Sequence, residues 1–549
     1  MSRKERSKHR RRRLAPERGI STSMTERENI ARAAGVVSSA TLLSRIFGLI
    51  RDLVIAYFFG AGLAADAFFM AFRIPNLLRR FFAEGALTVA YIPIFTEYLT
   101  TRSRNDAFEL ARASLTLFSM ILAVVSVLGV LLAPWIVRLF AWGFFDEPEK
   151  FTLTVYLTRI MFPYIFLISL VALAMGILNS LGKFAGPALA PVFLNVGMIG
   201  SVLLLYHHVN PPIVSLAIGV IIGGIMQVLL QVPFLAREPG LLGISFQFAH
   251  PALKRIALLM APAVVGAAVY QISILINSLL ASFLAEGSVS YLYYADRIIQ
   301  FPLGVFAIAI GTAVLPTMSR QAANQDLAAL GDTLSFSLRL VFFITIPATI
   351  GLLILAQPLI QLIYQRGLFS HADTVATAQT MIAYACGLWA LSAVQILVRT
   401  FYALQDTRTP VKIAVASLCG NIILALILMG PFQFVGLALA SSGGAVMNFT
   451  LLVICLRRRL GRLDARKIIG ALLRNLIWSA LMGVVVSFIL VASASAGGSA
   501  IQLAIRVLIA VLAGLVIYAG LAYLGRAPEI TSLLNLIRRN RAPEAKRGA

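Results

Sequence analysis

The chain has 549 residues, 59% of them hydrophobic and only 13% charged, where an ordinary soluble protein carries about 25% charged residues. That balance excludes a water-soluble enzyme and a disordered chain, and the apolar runs are too long for the alternating ten-residue strands of a porin-type barrel. The net charge is +24, with much of the excess in residues 1–27, after Arg526 and in short loops. This fits the basic cytoplasmic edges of a membrane protein, and no nucleic-acid role is assigned to Arg10-Arg11-Arg12-Arg13.

In chain order, residues 1–31 form a basic cytoplasmic arm. They lack the short apolar core and small-residue cleavage site of a signal peptide. About fourteen apolar runs follow, at 32–59, 66–99, 106–141, 151–181, 184–206, 211–236, 252–285, 289–323, 332–356, 372–404, 409–430, 434–456, 467–493 and 500–525. About 20 helical residues cross the hydrocarbon, so the chain is predicted to be an all-α polytopic membrane protein whose longer runs tilt, kink or extend into water. Pro75, Pro93, Pro163, Pro302, Pro316 and Pro347 are predicted kink points. Alternate loops differ in base. Arg102, Arg104, Lys183, Arg237, Lys254, Arg255, Arg320, Arg408, Lys412 and Arg457 to Lys467 lie in one set, while the other set is nearly free of Lys and Arg. The positive-inside rule makes the first set and both termini cytoplasmic.

The chain also repeats itself. Leu178-Asn179 with Asn195 matches Leu404-Gln405 with Asn421 at an offset of 226, and Arg73-Ile74 matches Arg297-Ile298 at 224. The expected layout is an N-lobe at 32–236, a C-lobe at 252–456, two further spans at 467–525 and a basic tail at 526–549. An offset spanning an even number of helices makes the two six-helix lobes parallel repeats, an arrangement that holds substrate between its halves.

Charges inside the spans are the main functional signal. The first run holds Arg45, Arg51 and Asp52; the second holds Asp66, Arg73, Asn76, Arg79, Arg80 and Glu84; the eighth holds Asp296 and Arg297. Four unpartnered arginines at mid-membrane would cost roughly 10–14 kcal/mol. At 100° per residue, Arg73, Asn76, Arg80 and Glu84 share one helix face, and Arg80 is spaced to pair with Glu84. Asp52 and Asp66 are available to neutralise neighbours, but arginines outnumber carboxylates. The surplus suits an anionic guest, and the guanidinium fork matches phosphate. Arg159, Arg339 and Arg399 lie near span ends and are expected to snorkel. Cys386, Cys419 and Cys455 have no metal spacing, and no phosphate loop or Ser/His/Asp constellation is present. Neither a metal, nor a cofactor, nor an enzymatic activity is predicted.

Several ordered motifs resemble one family. Ser44-Arg45-Ile46-Phe47-Gly48-Leu49-Ile50-Arg51-Asp52, Phe59-Gly60-Ala61-Gly62, Asp66-Ala67-Phe68-Phe69, Pro75-Asn76-Leu77-Leu78-Arg79-Arg80 and Phe82-Ala83-Glu84-Gly85-Ala86 are similar to the N-terminal signature of the MurJ (MviN) lipid II flippases. Tyr293-Tyr294-Ala295-Asp296-Arg297, Pro302-Leu303-Gly304 and Gln405-Asp406-Thr407-Arg408-Thr409-Pro410 resemble later signatures of that family. The likeness runs from about residue 33 to 525. It implies the multidrug/oligosaccharidyl-lipid/polysaccharide exporter fold, with the last two spans forming a groove for a lipid tail. It implies transport of the undecaprenyl-diphosphate-linked peptidoglycan precursor from the inner to the outer leaflet of the bacterial inner membrane, for cell-wall biosynthesis and cell shape. The substrate-binding arginines it implies are Arg45, Arg51, Arg79 and Arg297, with Asp66, Arg80 and Glu84 matching neighbouring charged positions. The chain departs from some members in having Gln300 where they carry Glu. Alternating access, coupled to the membrane potential or an ion, is the expected mechanism. The phospholipid bilayer and the cell-wall synthesis machinery are the expected partners. Other readings of the same residues are a flippase for another polyprenyl-diphosphate sugar, a cation-coupled drug exporter or a polyprenyl-linked glycosyltransferase. The arginine surplus disfavours the exporter, and the short loops disfavour the transferase.

Overall fold

The computed structural model describes residues 17–79, 88–461, 464–493 and 499–531, with helices throughout and no strand among them. The helices, in chain order, are α1 (Glu17–Phe59), α2 (Leu63–Arg79), α3 (Thr88–Thr101), α4 (Arg104–Leu131), α5 (Ala133–Phe140), α6 (Pro148–Met161), α7 (Tyr164–Ser180), α8 (Ala185–Leu205), α9 (Val214–Ala236), α10 (Pro251–Ser282), α11 (Ser288–Pro302), α12 (Ile308–Ala323), α13 (Leu327–Tyr364), α14 (His371–Ala385), α15 (Leu388–Ala403), α16 (Arg408–Leu460), α17 (Ala465–Ala492) and α18 (Ala500–Leu524). Among the described residues nine helices are long and apolar enough to span a membrane, or ten if α14 and α15, bent by 42°, count as one span. The predicted figure of fourteen differs partly because α16 holds two of the predicted runs, joined at Gln433 (φ 48°, ψ −128°). Helix α1 starts at Glu17, inside the segment expected to be a basic arm outside the spans; residues 1–16 and the tail beyond 531 lie outside the described residues.

Local sequence explains the helix boundaries. Ser103 and Asp326 accept hydrogen bonds from the first turns of α4 and α13. Ser370 with Asp373, and Ser499 with Gln502, form capping boxes at α14 and α18, satisfying donors that have no partner within the helix. Pro163 stands at the break before α7, and Pro302 leads into a π-turn at Leu303–Ala307, as proline's missing donor requires. Gly60 (φ +62°) makes the turn between α1 and α2.

The chain forms two compact units. One comprises Ile74–Ala133 and Leu157–Val265 with the chain up to Asp52; the other comprises Leu53–Arg73, Pro134–Tyr156 and the chain from Gly266 onward. In the first, Tyr91, Phe95, Phe108, Leu173 and Ile177 build an apolar core. Helices α8 and α9 approach closely, and a Cβ on Gly197 would lie 2.5 Å from the Gly223 Cα. Gly223→Val is therefore expected to force this hairpin apart, with a loss of about 1–3 kcal/mol from overpacking. A thermal melt in detergent would show it, and an unchanged midpoint would refute the contact. In the second unit, Leu338, Phe342, Leu397, Phe401 and Leu452 form one core, and Phe343, Met482, Val486, Ala510 and Tyr518 form another. Exposed Phe488, Val491, Ile501 and Val516 on α17 and α18 suit lipid contact, since a water-soluble surface rarely carries such a patch.

The repeat is visible in the bonding. Arg51 Nη1 donates to Asn195 Oδ1 at 3.1 Å, and Asn421 Nδ2 donates to Asn277 Oδ1 at 3.3 Å. Both bonds join residues 144 apart, at positions offset by 226. In each half an ion pair also closes the base-rich turn, Lys183–Glu238 at 2.6 Å and Arg459–Asp406 at 3.0 Å, with the signs reversed. Glu238 is further held by Arg104. The Lys183 hydrogen bond chiefly pulls the Glu238 carboxyl below its ordinary value of 4.5, helped by the Lys183 and Arg104 charges and opposed by burial. A carboxyl depressed by folding contributes stability above its unfolded value and loses it as pH falls through the folded one. Melting midpoints are thus expected to fall less steeply as pH drops below 4.5 in Glu238→Gln than in wild type, and parallel acid limbs would contradict this.

Candidate functional site

The second unit contains a local pseudo-twofold built from α2 and α11. Asp66, fully buried, accepts from the Gly287 N–H (2.8 Å), the Ser290 N–H (2.9 Å) and the Ser290 hydroxyl (2.7 Å), so it caps α11. Glu286 returns the service, accepting from the Leu63 N–H at 2.6 Å, the first turn of α2. One turn in from Asp66, the Phe69 and Tyr293 rings stack with centroids 3.9 Å apart at 22°. Phe69 and Tyr293 occupy equivalent positions at the 224 offset, so the local axis passes between them. A further turn along, the same offset relates Arg73 to Arg297. The two arginines lie seven residues beyond Asp66 and Ser290 respectively, about 10 Å along their helices.

Lys150 completes the capping layer. It is buried, sits 3.2 Å from Asp66 and 3.8 Å from Glu147, and rests 4.4 Å over the Phe144 ring. Tyr294 donates to the Gly60 carbonyl at 3.1 Å, and the Leu368 N–H donates to the Tyr57 carbonyl at 2.9 Å. These bonds knit the base-poor ends of α1, α2, α6, α11 and the 365–370 turn. They carry many of the charges and dipoles that this end of the unit buries.

The remaining predicted residues sort differently. Arg51 and Asp52 are buried and paired, with Arg51 Nη2 at 2.7 Å and Nε at 3.1 Å from Asp52 Oδ1. Asn195 bridges this pair to the chain, donating to the Pro191 carbonyl at 3.2 Å and the Ser44 carbonyl at 3.4 Å. Asp52 therefore does neutralise a neighbouring arginine, whereas Asp66 serves a lysine and a helix end. Arg45 is exposed on α1 and makes no ion pair among the described residues. Arg73 is half-buried and donates to the Ser278 hydroxyl; Asn76 is half-buried on the same helix. Arg297 and Asp296 are exposed, and Asp296 accepts from Gln300 at 3.3 Å. Arg79 is the last residue of α2, but its side chain, like all of Arg80 and Glu84, lies outside the described residues.

Of the arginines expected to snorkel, Arg159 is exposed, while Arg339 and Arg399 are half-buried and bonded within the protein. Arg339 and Arg474 meet buried Glu529 at 3.5 and 2.6 Å. Arg399 donates to the Gln395 carbonyl at 2.8 Å and its side-chain oxygen at 3.3 Å. Lys150, Ser278, Glu286 and Ser290 were not singled out by sequence; the 224 offset from Asp66 was a signal for Ser290. No group of His, Cys, Asp and Glu able to hold a metal occurs among the described residues.

Long apolar helices that carry buried polar and charged side chains define a polytopic membrane protein. Its fold is shared with an inward-facing multidrug resistance MATE family transporter of the MOP superfamily, at 14% identity and a TM-score of 0.63 over 79% of this chain and 99% of that one. The lipid II flippase MurJ family matches residues 55–509. A probable lipid II flippase MurJ of Vibrio cholerae is 41% identical over 78% of this chain and 83% of that protein, and a lipid II flippase MurJ of Burkholderia cenocepacia is 39% identical over 78% and 84%. A solved lipid II flippase MurJ in an inward closed conformation matches with a TM-score of 0.75, at 28% identity over 89% of this chain and 98% of that one. The chain belongs to the MurJ lipid II flippase family, a family of membrane transporters and not of catalytic enzymes.

Proposed function

We propose that this chain carries the undecaprenyl-diphosphate-linked peptidoglycan precursor from the inner to the outer leaflet of the bacterial inner membrane by alternating access. The base-rich loops and both termini face the cytoplasm. The helices form fourteen spans, two six-helix lobes at 32–236 and 252–456 followed by the pair at 467–525, along which the polyprenyl tail runs. Arg45, Arg79 and Arg297 take the diphosphate. Arg51, already neutralised by Asp52, orients the site; Arg73, Asn76, Arg80, Glu84 and Asp296 tune its charge. Asp66 and Lys150 hold the base-poor ends of the second unit's helices together.

The observation that supports this most is the pseudo-twofold of α2 and α11, which sets Arg73 and Arg297 at equivalent depths. Two symmetry-related cations at one depth suit an anionic headgroup, with Arg297 meeting the diphosphate and Arg73 tuning the charge beside it. A diphosphate dragged bare through hydrocarbon would face a prohibitive solvation cost. With the inside negative, moving an anion outward is downhill by roughly 2.3 kcal/mol per charge per 100 mV, which gives direction without a nucleotide.

The test is leaflet-resolved flipping of fluorescent lipid II by the purified protein in vesicles. Wild type is expected to flip it and Arg297→Ala to be at least tenfold slower. Undiminished flipping by Arg297→Ala would remove that residue from the mechanism, and competition by an O-antigen-type diphosphate lipid equal to lipid II would overturn the headgroup assignment.

A further inference from the structure

We propose that Arg138 anchors a glycerophospholipid of the base-poor leaflet, its phosphate on the guanidinium and one chain along an apolar groove. The groove is lined by Trp135, Arg138, Leu139, Trp142, Phe145, Leu279 and Phe283 and has a volume of about 520 Å³. It lies wholly in the second unit. Helix α5 and the turn Trp142–Asp146 form one wall, and the end of α10 forms the other. Those walls are fixed to each other, since the Gly143 N–H donates to the Ser282 hydroxyl at 3.0 Å.

Two cations of this segment sit among aromatic rings, and their surroundings differ. Lys150, over Phe144, turns inward and has Asp66. Arg138 is held by Trp135 at 5.0 Å, Phe145 at 4.7 Å and Phe151 at 6.0 Å. It has no ion pair among the described residues, and its Nε is buried without a hydrogen-bond partner. Stacking satisfies the faces of a guanidinium and leaves its N–H edge unmet. At a membrane interface the abundant acceptor for that edge is a lipid phosphate, which the fork fits bidentately. The depth agrees. Two of the four tryptophans in the chain, Trp135 and Trp142, are exposed here, and Trp favours the headgroup level. Exposed Leu139 and Phe283 continue the groove as a track for a chain.

Native mass spectrometry of the full chain, delipidated in detergent and titrated with phosphatidylglycerol, reads the site. Wild type is expected to retain one lipid that Arg138→Gln loses, with occupancy at least fivefold lower and an unchanged melting point without lipid. Arg138→Lys, which keeps charge without the fork, is expected to fall between. Equal retention by wild type and Arg138→Gln would overturn the proposal, as would wild-type retention of phosphate-free dioleoylglycerol to the same extent. Displacement of the bound phospholipid by equimolar lipid II would also overturn it, since the site would then belong to the transport path.

Discussion

Asp66→Asn and Lys150→Met are each expected to destabilise the protein by about 3–5 kcal/mol, because each leaves a buried charge without its counterion. Asp66 also satisfies three donors, the Gly287 and Ser290 N–H groups and the Ser290 hydroxyl. An Asn amide would turn an NH2 toward donors where a carboxylate accepted. The double variant should lose clearly less than the sum of the singles, since the second change removes the charge stranded by the first. Chemical or thermal denaturation of all four proteins in one detergent decides it. Additive losses would mean that the 3.2 Å contact carries no coupling, and its assigned part in holding these helix ends together would lose its basis.

The second large effect separates two arginines of one helix. Arg45→Ala is expected to slow lipid II flipping by roughly 10- to 100-fold, the equivalent of losing charge-assisted hydrogen bonds worth about 1.5–3 kcal/mol, with little change in stability. Arg45 lies about 21 Å from the Phe59 end of α1 and has no carboxylate among the described residues to strand. Arg51→Ala is expected to do the opposite first, lowering the melting point, because Asp52 is buried and would lose its counterion. Arg45→Lys keeps the charge without the planar fork and should recover activity only in part. Flipping rates and melting points measured on the same preparations test the split. A stable Arg51→Ala with an unstable Arg45→Ala would reverse both assignments.

What the sequence made legible follows from how membranes constrain chains. Apolar runs, proline breaks and the base bias of alternate loops are local signals, and the long apolar helices among the described residues lie along those runs. Counting spans was harder because α16 carries its two runs across a single strained residue, Gln433. The repeat was legible from a few Asn and Arg positions, and Asn195 and Asn421 turned out to make equivalent bonds. Pairing was not legible. Lys150 reads as one more charge in an acidic loop, and only tertiary packing carries it under Asp66. Arg51 and Asp52 are adjacent, which helical geometry alone does not turn toward each other, yet both are drawn into one buried cluster with Asn195. Arg339 reads as an interfacial snorkeller until the segment after α18 brings Glu529 to it.

The most direct measurement of the central claim is made in the host. The protein is depleted, and the lipid-linked precursors are quantified in each leaflet with an impermeant label or a headgroup-cleaving toxin. Accumulation of intact lipid II in the inner leaflet, with outer-leaflet lipid II falling in step, is the predicted result. Normal outer-leaflet lipid II after depletion, with a different polyprenyl-diphosphate sugar accumulating inside, would contradict it.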